Sequence, residues 1–214
     1  MNTREPFVIT ISREVGSGGH TVGQILSQKL NTRYCDKSLI EALQEQFKLT
    51  PGEIERLKGE KKNWLADFLQ FVSPMPPALV LGVNPAYKPV YRAEVTSDDL
   101  FKAETEILRE LAQEGSCVIA GRSGFFVFRQ HPNHLHVFFT ASEASRIQRV
   151  MRKQNLSEAD AAALVRDIDA KRENYIKRYT GTTRYDARNY DLVINMDQLP
   201  DEEAAAEIIL RFIR

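Results

Sequence analysis

The chain has 214 residues, 43% of them hydrophobic, with 29 Lys and Arg set against 29 Asp and Glu and only two cysteines. That length can bury a sizeable core, and the ordinary apolar content excludes a wholly disordered chain just as the cysteine count excludes a disulfide-dense miniprotein. Zero net charge excludes a broad coat of nucleic acid or membrane, whose electrostatic attraction needs clustered Lys and Arg, and leaves room for one local basic site.

Phe7 to Ser12 is a short β-branched run that reads as a buried parallel strand. A glycine-rich turn follows, and from Thr21 the apolar residues Val22, Ile25, Leu26 and Leu30 fall at helical spacing. A second unit starts at Arg33 to Cys35, where Asp36 can cap a helix carrying Leu39, Ile40, Leu43 and Phe47. Thr50-Pro51-Gly52-Glu53 has the form of a capping box with proline at the first helical position, opening a helix to about Lys62. Pro74, Pro76, Pro77, Pro85 and Pro89 mark a loop or extended insertion over about 73–92. Ser97-Asp98-Asp99 starts a helix that stops at Gly115. Cys117 to Gly121, Leu135 to Phe139 and Asp191 to Asn195 read as further buried strands, and a last helix runs from about Asp201 to Ile213.

Strands alternating with helices need crossover connections, so the class is α/β: a parallel sheet covered by helices on both faces. The stretch from Ser142 to Tyr179 is long, helical and polar, and is expected to project from the body as a lid, about 142–189 with its following loop. Cys35 and Cys117 are expected to be free thiols in a cytoplasmic protein, since no apolar run approaches the ~20 residues that span a bilayer.

The segment between the first strand and helix, Ile11 to Thr21, carries the strongest chemical signal. Ligands of α/β sheets bind at the carboxyl ends of strands, where a helix N-terminus offers unpaired N–H groups and the positive end of its dipole. Gly16, Gly18 and Gly19 let the backbone turn tightly enough to bring those groups to phosphate oxygens, with Ser17 and His20 in the same cradle; Ser17 or Thr21 can hold Mg²⁺. The phosphate-loop pattern G-x-x-x-x-G-K-[ST] is not met, because its lysine position holds Gly19. Another cation must then neutralise the transferring phosphoryl group; Arg13 at the loop entrance is one candidate.

Ile11-Ser12-Arg13-Glu14 with Gly16-Ser17-Gly18-Gly19, then Tyr34, Asp36 and Lys37, Ala120-Gly121-Arg122, and Tyr190 to Asn195 together resemble the cytidylate-kinase-like group of P-loop nucleoside monophosphate kinases. The resemblance implies a three-layer P-loop kinase fold over residues 1–214, ATP and Mg²⁺ as cofactors, and a nucleoside monophosphate acceptor, CMP or dCMP. It places Asp36, Ser38 and Arg122 at the acceptor, and position 123 holds Ser where cytidylate kinases have an aspartate. The only partner it implies is a small nucleotide, with neither nucleic acid nor membrane; the oligomeric state stays open.

Lys171 to Arg188 holds six basic residues against Glu173 and Asp186, and Asp169, Arg172 and Tyr175 share helical spacing. Arg172 and Arg178, with Arg13, are the candidates for stabilising the transferring group; a solvated helix with internal ion pairs is the plainer reading of the same residues. Three functions fit: a nucleoside monophosphate kinase, a nucleotide-binding protein without turnover, and a kinase for another small acceptor. His131, His134 and His136 lack Cys or carboxylate neighbours at metal-ligand spacing, and a metal site there is not expected.

Overall fold

The computed structural model describes residues 1–36 and 97–213. The helices expected between Leu39 and Lys62, the proline-rich segment and Ser38 lie outside the described residues. Within them one sheet contains β1 (Val8–Arg13), β2 (Arg33–Cys35), β3 (Cys117–Ala120), β4 (His134–Thr140) and β5 (Leu192–Asn195), in the order β2-β3-β1-β4-β5. Every neighbouring pair is parallel; Ile9 stands opposite Val118 on one side and Leu135 on the other. Parallel neighbours cannot be joined by hairpins, so helices return the chain. These are α1 (Gly19–Lys29), α2 (Ser97–Gln113), the single turn α3 (Gly124–Val127), α4 (Glu143–Gln154), α5 (Glu158–Thr180) and α6 (Glu202–Phe212).

Strand side chains alternate between faces, and the core follows that alternation. Ile9 and Ile11 pack with Val22 and Leu26 of α1 and with Ala205 and Ile209 of α6. Val8 turns the other way, with Cys117 and Ile119, onto Leu100 and Leu108 of α2. The result is three layers, with each fully buried Leu or Ile contributing roughly 1.5–3 kcal/mol. α1 begins at Gly19, two residues earlier than the apolar spacing from Thr21 suggests, because the glycines themselves form both the turn and the helix start.

The polar stretch after Ser142 is two helices. Asn155 takes a left-handed conformation at φ 53° and ends α4, and the Ser157 hydroxyl accepts from the Asp160 N–H at 3.2 Å to open α5. The pair makes its own small core of Val150, Ala161, Val165 and Ile168, and Val15 of the glycine turn inserts into it. Both cysteines are free and buried. Among the described residues no helix is long and apolar enough to cross a membrane.

Candidate functional site

β1 sits where the sheet order reverses, with β3 on one side and β4 on the other, and a crevice opens there at the carboxyl ends of parallel strands. Gly16 at φ +81° and Gly18 at φ +88° occupy left-handed conformations that other residues adopt only with strain. A Cβ on Gly16 would lie 2.5 Å from the carbonyl oxygen of Arg146, so both dihedral and space demand glycine. The first helical hydrogen bond of α1 runs from the Val22 N–H to the Gly18 carbonyl, which leaves the Gly19, His20 and Thr21 N–H groups ahead of it at the helix mouth. The pocket over this turn is lined by the turn itself, by Arg13 and Thr21, and by Arg149, Lys153, Ile168 and Arg172 from α4 and α5.

Gly19 has no room for the lysine of the phosphate-loop pattern. A Cβ there would stand 2.9 Å from both Arg13 Cβ and Phe139 Cδ2, because α1 starts in contact with β1 and β4. Positive charge reaches the pocket from α4 and α5 instead. Arg149 pairs with Glu202 at the start of α6, and Lys153 lies one helical turn further along α4. Lost hydration pulls the Lys153 ammonium below its ordinary pKa, with Glu202 opposing the effect and Arg149 adding to it. Arg172 donates to the Arg13 carbonyl at 3.2 Å.

Ser17 is fully buried; its hydroxyl donates to the Glu14 carbonyl at 2.9 Å, whereas Thr21 lines the pocket. The His20 side chain turns toward β2, with Nδ1 2.8 Å from the Tyr34 hydroxyl and 3.1 Å from Asp36 Oδ2. The Asp36 Oδ1 also faces Arg13 Nη2 at 3.7 Å. Burial pushes the Asp36 carboxyl up, but the His20 hydrogen bond and the Arg13 and Arg122 charges outweigh it and hold it below the usual carboxylate range. Arg13 and Asp36, with His20 bonded to the same carboxylate, therefore form one linked cluster at the ends of β1 and β2.

On the other side of Asp36, Gly121, Arg122 and Ser123 all have positive φ where β3 ends. Two non-glycine residues in left-handed conformation mark a strained turn of the kind found at binding sites. Arg122 Nη1 donates to Glu104 Oε1 at 3.1 Å, and the Tyr175 hydroxyl donates to the other Glu104 oxygen. Glu104 is 1% exposed. Burial, with the Glu104 charge beside it, lifts the Tyr175 phenol well above its ordinary pKa.

Of the sequence candidates, the structure brings Arg13, the glycine turn, Thr21 and Arg172 to one pocket and places Asp36 beside Arg13. Arg178 is elsewhere, in an exposed ion pair with Asp98 at 3.2 Å. The remaining basic residues of its segment are occupied locally: Lys171 with Asp167, Lys177 with Glu173, and Arg188 with Asp186. Arg184 is 2% exposed and donates to the Arg13 carbonyl. Glu104 and Lys153 are absent from the sequence candidates, although each left a trace. Glu104 is a carboxylate on the apolar stripe Leu100, Ala103, Leu108, and Lys153 follows Arg149 at a spacing of four. His136 accepts or donates at Nδ1 to Thr10 Oγ1 at 2.7 Å and stacks on His134. Among the described residues no three His, Cys, Asp or Glu are placed to hold a metal ion.

The family model of the cytidylate kinase-like family matches residues 8–198. A cytidylate kinase of Sulfurisphaera tokodaii is 25% identical over 197 residues, covering 92% of this chain and 90% of its own. Among solved structures, an uncharacterized protein from Eubacterium ventriosum superposes with a TM-score of 0.67 at 21% identity, covering 97% of this chain and 98% of that one. The shikimate kinase of Bacteroides thetaiotaomicron follows with a TM-score of 0.54 at 15% identity and the same coverage. The fold is that of the P-loop kinases.

Proposed function

The chain belongs to the cytidylate kinase-like family, and on that premise we propose that it transfers the γ-phosphoryl group of ATP to a nucleoside monophosphate, CMP or dCMP. The observation that carries the reading is the turn with left-handed Gly16 and Gly18 at the start of α1, lined from α4 and α5 by Arg149, Lys153 and Arg172. The N–H groups of Gly19, His20 and Thr21 donate to phosphate oxygens of the donor nucleotide. Thr21, which lines the pocket, would hold Mg²⁺, whose charge offsets that of the phosphates.

A phosphate oxygen of the acceptor attacks the γ-phosphorus, the bond from that phosphorus to the β,γ-bridging oxygen breaks, and ADP leaves; no covalent enzyme intermediate is needed. Arg13 and Arg172 flank the transferring group, and Lys153 replaces the lysine that position 19 cannot hold. Asp36 and Arg122 with its partner Glu104 form the acceptor side, and the family resemblance alone assigns Ser38 to the same role. Residues 142–189 serve as the lid that shields the transferring group from water. A cytoplasmic setting and a small-nucleotide partner go with this reading.

One observation favours a second reading, a nucleotide-binding protein without turnover: the phosphate-loop lysine is missing and its place is sterically closed. A coupled ADP-release assay with Mg-ATP and a panel of CMP, dCMP, UMP, AMP and shikimate separates the two. Turnover confined to CMP and dCMP is expected. ATP binding without turnover on any acceptor supports the second reading, and turnover on another acceptor alone replaces the substrate.

A further inference from the structure

A buried knot of charge ties the entrance of the glycine turn to α5. Asp169 stands at its centre: Oδ1 accepts from the Val15 N–H at 3.1 Å and from Arg184 Nη1 at 3.4 Å, while Oδ2 accepts from Arg146 Nη1 at 2.6 Å. Arg146 also donates to the Val15 carbonyl at 3.3 Å and faces Glu14 Oε1 at 3.5 Å. Arg184 and Arg172 both donate to the Arg13 carbonyl, and the Glu14 N–H donates to the Phe139 carbonyl at 3.1 Å. The three peptide groups from Arg13 to Gly16 are thereby held, and two of them by a single ion pair, Asp169 with Arg146.

Folding energy is a poor reason for such a cluster. Buried ion pairs rarely add net stability over apolar packing of the same shape, because desolvation cancels their attraction. Apolar side chains, however, cannot fix the rotation of a peptide group, and charge-assisted hydrogen bonds can. Val15 shows both devices at once: its side chain sits in the apolar cluster of α4 and α5, and its N–H and carbonyl end on the Asp169–Arg146 pair.

We propose that Asp169 is a positioning residue that, through Arg146 and Arg184, sets the conformation of the donor-phosphate turn. A carboxylate 154 residues beyond Val15 then determines nucleotide affinity without touching nucleotide. The inference rests on the reading of Gly16 to Thr21 as the donor-phosphate site.

Calorimetric titration with Mg-ATP, steady-state kinetics and thermal unfolding test it on the full chain. Asp169→Asn keeps the side-chain volume and removes the charge; it is expected to weaken Mg-ATP binding at least tenfold and raise the KM for ATP equally, with the acceptor KM within twofold. Because that variant leaves Arg146 and Arg184 with less counter-charge, the charge-balanced Asp169→Asn/Arg146→Gln is measured beside it, with the same split between donor and acceptor expected. ATP affinity within twofold of the unaltered chain in either folded variant, or an equal rise in both KM values, overturns the proposal. So does the unfolding of both variants below the assay temperature, which would make the role architectural. Failure of the unaltered chain to bind Mg-ATP would sink the reading of the turn itself, and this proposal with it.

Discussion

Gly19 shows how a single position can decide which chemistry a loop supports. In the phosphate-loop pattern a lysine follows the glycine and brings a point charge to the phosphates. Here the same position lies against Arg13 Cβ and Phe139, each 2.9 Å from where a Cβ would be. Restoring the motif by Gly19→Lys is therefore expected to lower activity. Overpacking at a buried junction costs about 1–3 kcal/mol, and α1 would have to shift off β1 to admit the side chain, carrying the turn with it. Gly19→Ala should give a smaller drop in melting temperature in the same direction. A lysine variant with unchanged melting temperature and higher turnover would contradict this account.

At the scale of elements, α5 separates residues that look alike in sequence. Steps of three along a helix fall short of a full turn by about 60°, so a stripe that begins inward drifts around the cylinder. Asp169 is buried, Arg172 reaches the Arg13 carbonyl, Tyr175 reaches Glu104, and by Arg178 the stripe has come half-way round, to solvent and Asp98. Arg172→Ala is accordingly expected to lower kcat by two orders of magnitude, on the scale of losing one charge stabiliser of a phosphoryl transfer. The loss from Arg178→Ala should be several-fold smaller, since its exposed pair contributes little and it does not line the pocket. Steady-state kinetics on both variants checks the order; a greater loss from Arg178→Ala would mean that the last turns of α5 move onto the substrate.

For the whole molecule, the sheet holds an acid-sensitive point away from the pocket. His136 of β4 is buried and bonded through Nδ1 to Thr10, and Nε2 has no hydrogen-bond partner among the described residues. Burial lowers its pKa from the ordinary 6.5 to about 4; His134 pushes the same way, and Asp191 pushes back. The unfolded chain thus binds a proton before the folded one does. The stabilisation from keeping His136 neutral is complete above about pH 6.5 and is lost as pH falls toward 4, a total of about 3 kcal/mol. Urea unfolding at pH 7 and pH 4.5 should show that fall, and His136→Leu should flatten it. An unchanged pH dependence in the variant would remove His136 as the cause.

Within the described residues most of the secondary structure was legible because its signals are local. β-branched runs such as Val8 to Ile11 and Val118 to Ile119 mark buried strands, and the spacing of Val22 and Leu26 marks the helix that covers them. The glycine turn was legible for the same reason: backbone conformation at Gly16 and Gly18 is a property of those residues themselves. Which charges face the turn was legible only in part: Arg13 and Arg172 stood among the candidates, but so did Arg178, and Asp169 and Lys153 carry the same local signal as other charged residues on a solvated helix. Only the packing of α4 and α5 against the ends of β1 and β4 removes water from one set and leaves it on the other. A side chain's charge is written in the sequence, but its dielectric surroundings and its partners are set by segments more than a hundred residues apart.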